Sequence, residues 1–160
     1  MFQVGDWVVY PIHGAGVIQA VEEREVLGER RQYYVLSVRG GSIKVMVPTD
    51  GAERCGLRAV LSREEFQRVL EVLQEQGEPP IVTTNWNRRF RANVEKLKSG
   101  DPYAVAEVVR SLARRERDRG LSSGERKMLE SARQILESEL ALVEGVDEEA
   151  AHAELDRLLA

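Results

Sequence analysis

SIKVMVP, residues Ser42–Pro48, and SREEFQRVLEVL, residues Ser62–Leu73, carry two different hydrophobic periods, and the change from one to the other decides the fold. In the first, Ile43, Val45 and Val47 recur at every second position, the period of a strand with one face buried. In the second, Ser62 and Glu65 have the spacing of a capping box, and Phe66, Val69, Leu70 and Leu73 follow at the spacing of a single helical stripe. The chain therefore passes from sheet to helix near Ser62.

Upstream of Ser42 the pattern is short and β-prone: WVVYP (7–11), GVIQAVEEREV (16–26) and QYYVLSV (32–38), with HGAG (13–16), LGER (27–30) and RGG (39–41) read as turns between them. Four short strands, closed by a fifth near Leu57–Leu61, predict a small SH3-like or Tudor-like barrel over residues 1–66. Barrels of this size bury little core, and a spare edge strand can pair with a partner. Downstream, Gly77, Pro79 and Pro80 cannot continue the first helix, so Gln76–Thr84 reads as a linker. A second helix begins at Thr84–Trp86 and stops at Ser99-Gly100. Asp101 as cap and Pro102 at the first position announce a third, with the stripe Val105, Val108, Val109, Leu112 and a stop at Gly120. Ser122 and Glu125 open a fourth, which carries Leu129, Ala132, Ile135, Leu136 and Val143 up to Gly145. A short acidic fifth, Glu148–Leu159, shows Ala151, Leu155 and Leu158. The fold class is α+β: the barrel, then an all-helical domain over 67–160 arranged as an antiparallel bundle or a similar compact array.

A length of 160 residues with 42% apolar content accommodates one ordinary domain or two small ones. No stretch approaches the roughly 18 consecutive apolar residues of a membrane span, and MFQVGDWVVYP carries a charge and a Pro where a signal peptide would be apolar. The chain reads as cytoplasmic, with no membrane partner. Cys55 is the only cysteine, which excludes an intrachain disulfide, and it is expected to be a buried structural thiol. The net charge of −4 conceals a division along the chain: residues 86–133 hold 13 basic and 7 acidic side chains, whereas residues 134–160 hold 1 basic and 8 acidic. A polyanion responds to the local patch, so the middle segment can bind nucleic acid although the whole chain is acidic.

The residues offer no reaction chemistry. His13 and His152 are the only histidines, in separate segments and without a nucleophile placed beside them. HGAG lacks the Gly-Lys-Ser/Thr and βαβ context of a phosphate loop, and its glycines are read as turn glycines. The acidic runs lack the spacing of a metal site. No catalytic residue, metal, cofactor or small-molecule substrate is assigned.

The unusual cluster is TTNWNRRFR, Thr83–Arg91, in which Trp86 opens a helix and Arg88, Arg89 and Arg91 follow within five residues. Guanidinium groups suit phosphate oxygens, a helix N-terminus adds partial positive charge, and a flat indole can stack on or wedge between bases. Trp86, Phe90, Val94 and Leu97 also fall at core spacing, and the three arginines can form an ordinary solvated face, so the pattern alone leaves both readings open. RSLARRERDRG, residues 110–120, mixes acids among its bases and reads as a salt-laced helix surface. Arg126 and Lys127 form a weaker basic candidate.

VGDWVVYPIHGAG (4–16), TNWNRRFRANVEKLKSGD (84–101) and VAEVVRSLARRERDRGLSSGERKMLESARQILESEL (105–140) resemble the CarD family of bacterial transcription regulators, and the resemblance extends from Phe2 to about Val143. It implies a Tudor-like domain that binds the RNA polymerase β subunit, as does the related module of transcription-repair coupling factors. It also implies a helical domain that contacts promoter DNA at the upstream edge of the transcription bubble and stabilises the open complex. The family's wedge tryptophan falls on Trp86 and its neighbouring DNA-contacting basic position on Arg91. The wedge is expected to enter the minor groove, with Arg88, Arg89, Arg126 and Lys127 as further DNA-binding candidates. A polymerase-contacting arginine falls on Arg24, and a fourth-strand position that is often arginine in the family falls on Met46. Polymerase binding is accordingly expected at Arg24, Val45, Met46 and Val47, through main-chain pairing of the edge. A free-standing architectural DNA-binding protein and a protein-only scaffold are the competing classes.

Overall fold

The computed structural model describes residues 1–38, 41–75 and 85–160. Its N-terminal part is one antiparallel sheet of β1 (Trp7–Tyr10), β2 (Gly14–Val26), β3 (Glu29–Val38), β4 (Ile43–Pro48) and β5 (Arg58–Ala59), in the order β4-β3-β2-β1-β5. The alternation in the sequence sets the burial. Val8, Ile18, Leu36, Val38 and Val47 are fully buried on the inner face, and Ile43 and Val45 pack against them. The β2–β3 arm runs in register from Gly16↔Val38 to Val26↔Glu29, with an irregularity between Ile18 and Ala20. At its tip Leu27 (φ 54°) and Gly28 (φ 80°) both take positive φ, as a two-residue hairpin turn requires. This is the small β module expected from the strand pattern, with its fifth strand at Arg58–Ala59.

The structure departs from two expectations of the sequence. Of HGAG only His13 lies in a turn, Pro11–His13, as expected of it, whereas Gly14, Ala15 and Gly16 begin β2. The glycines serve close approach instead, since a Cβ on Gly16 would meet Ser37 O and Val38 Cγ1 at 2.6 Å, and one on Gly14 would meet Ser138 Oγ at 2.8 Å. Cys55 is exposed rather than buried, because Ala52 and Leu57 occupy the core positions of its loop.

Five helices follow: α1 (Arg63–Gln74), α2 (Trp86–Lys98), α3 (Pro102–Arg119), α4 (Ser123–Glu144) and α5 (Glu148–Leu159). Each starts where a side chain accepts from the first turn: Ser62, Asn85, Asp101, Ser122 and Asp147, with full capping boxes at Ser62–Glu65 and Ser122–Glu125. The stripes meet in a single core that includes Phe66, Val69 and Leu73 of α1, Val108, Val109 and Leu112 of α3, and Leu136 and Leu140 of α4. Helix α1 thus belongs to the helical part. Gln76–Thr84, read as a linker, lies outside the described residues. Helix α4 has 22 residues, a length of about 33 Å, and the acidic α5 packs back on it from its C-terminal end.

The same α4 ties the helices to the sheet. Val9 and Ala15, on the outer face of the sheet, enter the helical core, and the Ala15 N–H donates to Ser138 Oγ at 2.9 Å. The next residue, Glu139, is wholly buried and accepts from both terminal Arg58 guanidinium nitrogens at 2.7 Å and from the Leu61 N–H at 2.8 Å. Arg58 Nε also donates to Gly100 O at 3.0 Å. Every oxygen of the buried carboxylate is occupied, and that satisfaction is what makes burying the charge tolerable.

Candidate nucleic-acid interface and protein-docking edge

Trp86 is the first residue of α2, behind the cap Asn85, whose side chain accepts from Asn87 N and Arg88 N. Its indole is 41% exposed. The buried side of the ring lies on Phe90, with centroids 4.9 Å apart and planes within 18°, and it passes close to the start of α4, where a Cβ on Gly124 would lie 3.9 Å from it. Phe90, Val94 and Leu97 continue the stripe into the core, but Trp86 stands at its open end. The indole is therefore neither buried nor free: one face rests on the protein and the rest is presented to solvent.

Arg88, Arg91, Arg126 and Lys127 are all exposed. The nearness of Trp86 to Gly124 brings the α4 pair, two and three residues further on, to the same end of the helical domain as the α2 arginines. Arg126 also donates to Leu121 O at 3.3 Å and lies 3.9 Å from Glu116. Arg89 is placed differently. Its side chain is 17% exposed and lies 3.5 Å from the Glu125 carboxylate, which Arg115 approaches at 3.6 Å. Glu125 is itself 4% exposed. Burial pushes its carboxyl upward, but the Ser122 N–H and hydroxyl, the Arg89 charge and the Trp86 indole N–H outweigh that and hold it below the ordinary value.

In the sheet, β4 is an edge strand. The Thr49 N–H donates to Gln32 O at 3.0 Å, and the register Tyr34↔Val47, Leu36↔Val45 is uninterrupted. In an antiparallel ladder such bonded pairs alternate with unbonded ones, so Val45 and Val47 bond to β3 while the main-chain groups of Lys44 and Met46 face outward. Pro48 falls on an outward position, where its missing N–H costs no ladder bond. The side chains divide the same way: Val47 is buried, Val45 packs on the sheet core, and Met46 is 40% exposed. Arg24 on β2 pairs across to Arg31 and is held by Glu22 at 3.0 Å. By alternation Arg24, Arg31, Tyr33, Val35 and Met46 share one face of the sheet.

Several buried charges escaped the reading of the sequence. Arg110, placed on a salt-laced surface, is 9% exposed and donates to Val72 O at 3.0 Å and to Glu75 at 2.8 Å, closing the C-terminal end of α1. Glu139 falls on the stripe that contains Ile135 and Leu136, and a carboxylate at such a position is the signal that identifies it. Glu125 was legible as a cap but not as the buried partner of Arg89 and Arg115.

The fold and the site define a two-module protein that presents surfaces: an open sheet edge on one module and an aromatic ring among cations on the other. Residues 2–61 match the model of the CarD-like/TRCF RID domain, and residues 68–156 match that of the CarD C-terminal domain. The chain is 37% identical over 148 residues to YdeB of Bacillus subtilis (strain 168), named as a candidate transcription factor, and the match takes in 92% of this chain and 95% of that one. The chain belongs to the CarD family, transcription factors with an N-terminal RNA polymerase-interacting domain.

Proposed function

We propose that the protein binds the RNA polymerase β subunit through the free edge of β4 and stabilises the open promoter complex by setting Trp86 into the minor groove at the upstream fork of the bubble. The observation that carries this reading is the half-exposed indole, backed by Phe90 and Gly124 and flanked by the exposed Arg88, Arg91, Arg126 and Lys127. A ring supported on one face can fill the gap left by an unstacked base step, offsetting part of a cost of a few kcal/mol. It acts by binding the melted state better than the closed one, and a differential of about 1.4 kcal/mol shifts that equilibrium tenfold. No catalytic group, metal or cofactor enters this account.

The sheet module supplies the second requirement. Docked on polymerase, it raises the local concentration of the basic end at the promoter, so weak intrinsic affinity for DNA suffices. Main-chain pairing through Lys44 and Met46 gives affinity, and Arg24 on the same face adds charge complementarity. The deciding experiment measures open-complex lifetime with the parent and with Trp86→Ala. A shorter lifetime with unchanged polymerase binding supports the wedge. Strong duplex binding without polymerase indicates a free-standing architectural protein instead. Full activity of the variant indicates a protein-only scaffold.

A further inference from the structure

Three elements distant in the sequence meet at Arg58. Its terminal guanidinium nitrogens donate to Glu139 of α4 at 2.7 Å, Nη1 also donates to Ala59 O at 3.2 Å, and Nε donates to Gly100 O at 3.0 Å. Gly100 follows Ser99, the C-cap of α2, and α2 is the helix that Trp86 opens. The backbone there lies directly against the loop before β5: a Cβ on Gly100 would meet Gly56 O at 2.6 Å and Gly56 Cα at 2.9 Å, and Gly100 stands at φ 76°. Helix α2 is thus pinned to the sheet module at one end and carries the half-exposed indole at the other. Along its length it is fastened to the helical part, through Leu97 in the core and the Lys96–Glu107 ion pair to α3 at 2.9 Å.

The lever is long enough to matter. With 13 residues in α2, a tilt of about 10° about Gly100 carries Trp86 through about 3.5 Å, close to the roughly 3.4 Å between successive nucleotides of a strand. The other contacts across the joint resist such a tilt weakly. Val9 and Ala15 pack by non-directional apolar burial, which permits sliding, and the bond from the Ala15 N–H to Ser138 is a single point about which the modules can turn. A planar guanidinium with all three nitrogens engaged fixes direction as well as distance. We propose that Arg58 is the positioning residue of the wedge: by holding α4 and the α2–α3 corner together on β5, it sets the angle of the helical part on the sheet and so the place of Trp86 relative to the β4 edge. This deepens the proposed function and rests on it for its consequence at promoters, whereas the fixed angle is a property of the free protein.

The test begins with the free protein. In a Cys55→Ser background, spin labels on Lys44→Cys of β4 and Asn87→Cys in the first turn of α2, both exposed sites, report the distance from the sheet edge to the Trp86 end. The parental joint should give one narrow distribution; a broad or multiple one overturns the proposal without any change at Arg58. Arg58→Lys keeps a charge beside Glu139 but is a point donor that cannot span Glu139 and Gly100 O together, so it should broaden the distribution at least about twofold or move its centre by about 3 Å or more. In the unlabelled protein the same change should leave polymerase pull-down at the parental level. It should shorten open-complex lifetime towards that of Trp86→Ala, with no further loss in the double variant. A parental distribution in folded Arg58→Lys overturns the proposal, as does an additive loss in the double variant or a loss of polymerase binding that accounts for the shorter lifetime. If Arg58→Lys does not fold, Gly100→Ala, whose Cβ forces the corner away from Gly56, takes its place with the same expectations. If Trp86→Ala itself leaves the lifetime unchanged, the wedge reading fails, while the distance distributions still decide whether Arg58 sets the angle.

Discussion

Arg58 on the last strand and Glu139 in the C-terminal half of α4 meet fork to fork at 2.7 Å, with the carboxylate wholly buried, and they join the sheet to the helices. Removing one partner leaves an uncompensated buried charge, which costs about 3–5 kcal/mol. Arg58→Ala should therefore lower stability by about that amount in denaturant titrations. Pairing it with Glu139→Leu should recover much of the loss, since no orphaned charge then remains. A loss that persists in the double variant would mean that packing at this joint outweighs the ion pair.

Trp86→Ala removes a half-exposed ring, not a core anchor. The stability cost should be about 1–2 kcal/mol, below the 3–5 kcal/mol of a fully buried aromatic. Polymerase binding should not change, and open complexes should dissociate faster. A melting curve and a lifetime measurement on the same preparation check both halves.

Arg91→Ala should weaken the DNA contact by lost phosphate attraction. Its effect should shrink as salt rises, and the salt dependence of the contact should fall by about one unit of slope. Open-complex lifetimes across a salt series provide the measurement. A deficit equal at all salt concentrations would place Arg91 away from phosphate.

The register of β4 distinguishes main-chain docking from damage to the sheet. Met46→Pro removes an outward N–H and leaves the β3–β4 ladder intact, so it should weaken polymerase binding far more than Met46→Ala. Val45→Pro removes a ladder bond instead and should lower stability as well. Pull-down of polymerase, read beside thermal unfolding, separates the two effects.

Glu144 at the end of α4 is raised above its ordinary value of 4.5 by burial, and further by the hydrogen bond and repulsion of Glu154, against the pull of Arg63 and Arg157. A carboxyl with a raised folded value destabilises the fold at neutral pH. That penalty disappears as pH falls through the raised value to the ordinary one. Glu154→Gln should consequently stabilise the protein at pH 7 by no more than about 0.5 kcal/mol after solvent screening. The gain should vanish below about pH 4; melting temperatures from pH 4 to pH 8 test the sign.

Most of the architecture follows from local pattern. Ile43, Val45 and Val47 alternate as a half-buried strand must, and Phe66, Val69, Leu70 and Leu73 repeat as a buried helical stripe must. The five caps mark the helix starts because each supplies an acceptor that the first turn requires. What the pattern could not show depends on contacts distant in sequence. Gly16 resembles a turn glycine until β3 lies against it, and Arg110 resembles a surface charge until α1 ends beside it. The candidate interface divides in the same way. Trp86 stood out by its neighbours, but its half-exposure depends on how α2 packs beside Gly124, 38 positions along the chain. Val45 and Met46 were legible together as an edge, whereas only the register reveals which of them turns its main chain outward.

Helix α4 begins beside the exposed cations Arg126 and Lys127 and ends at Glu144, with Asp147, Glu148 and Glu149 just beyond. Over a span of about 33 Å this arrangement gives an acidic protein a permanent electrical axis, reinforced in sign by the partial charges at the helix ends. In the field of a polyanion such a molecule experiences a torque as well as a force. In the proposed encounter with promoter DNA, rotation would turn the indole end towards the nucleic acid and the acidic end away before any contact forms. The opposite approach would be repelled, so the carboxylates that make the chain acidic would act as its rudder.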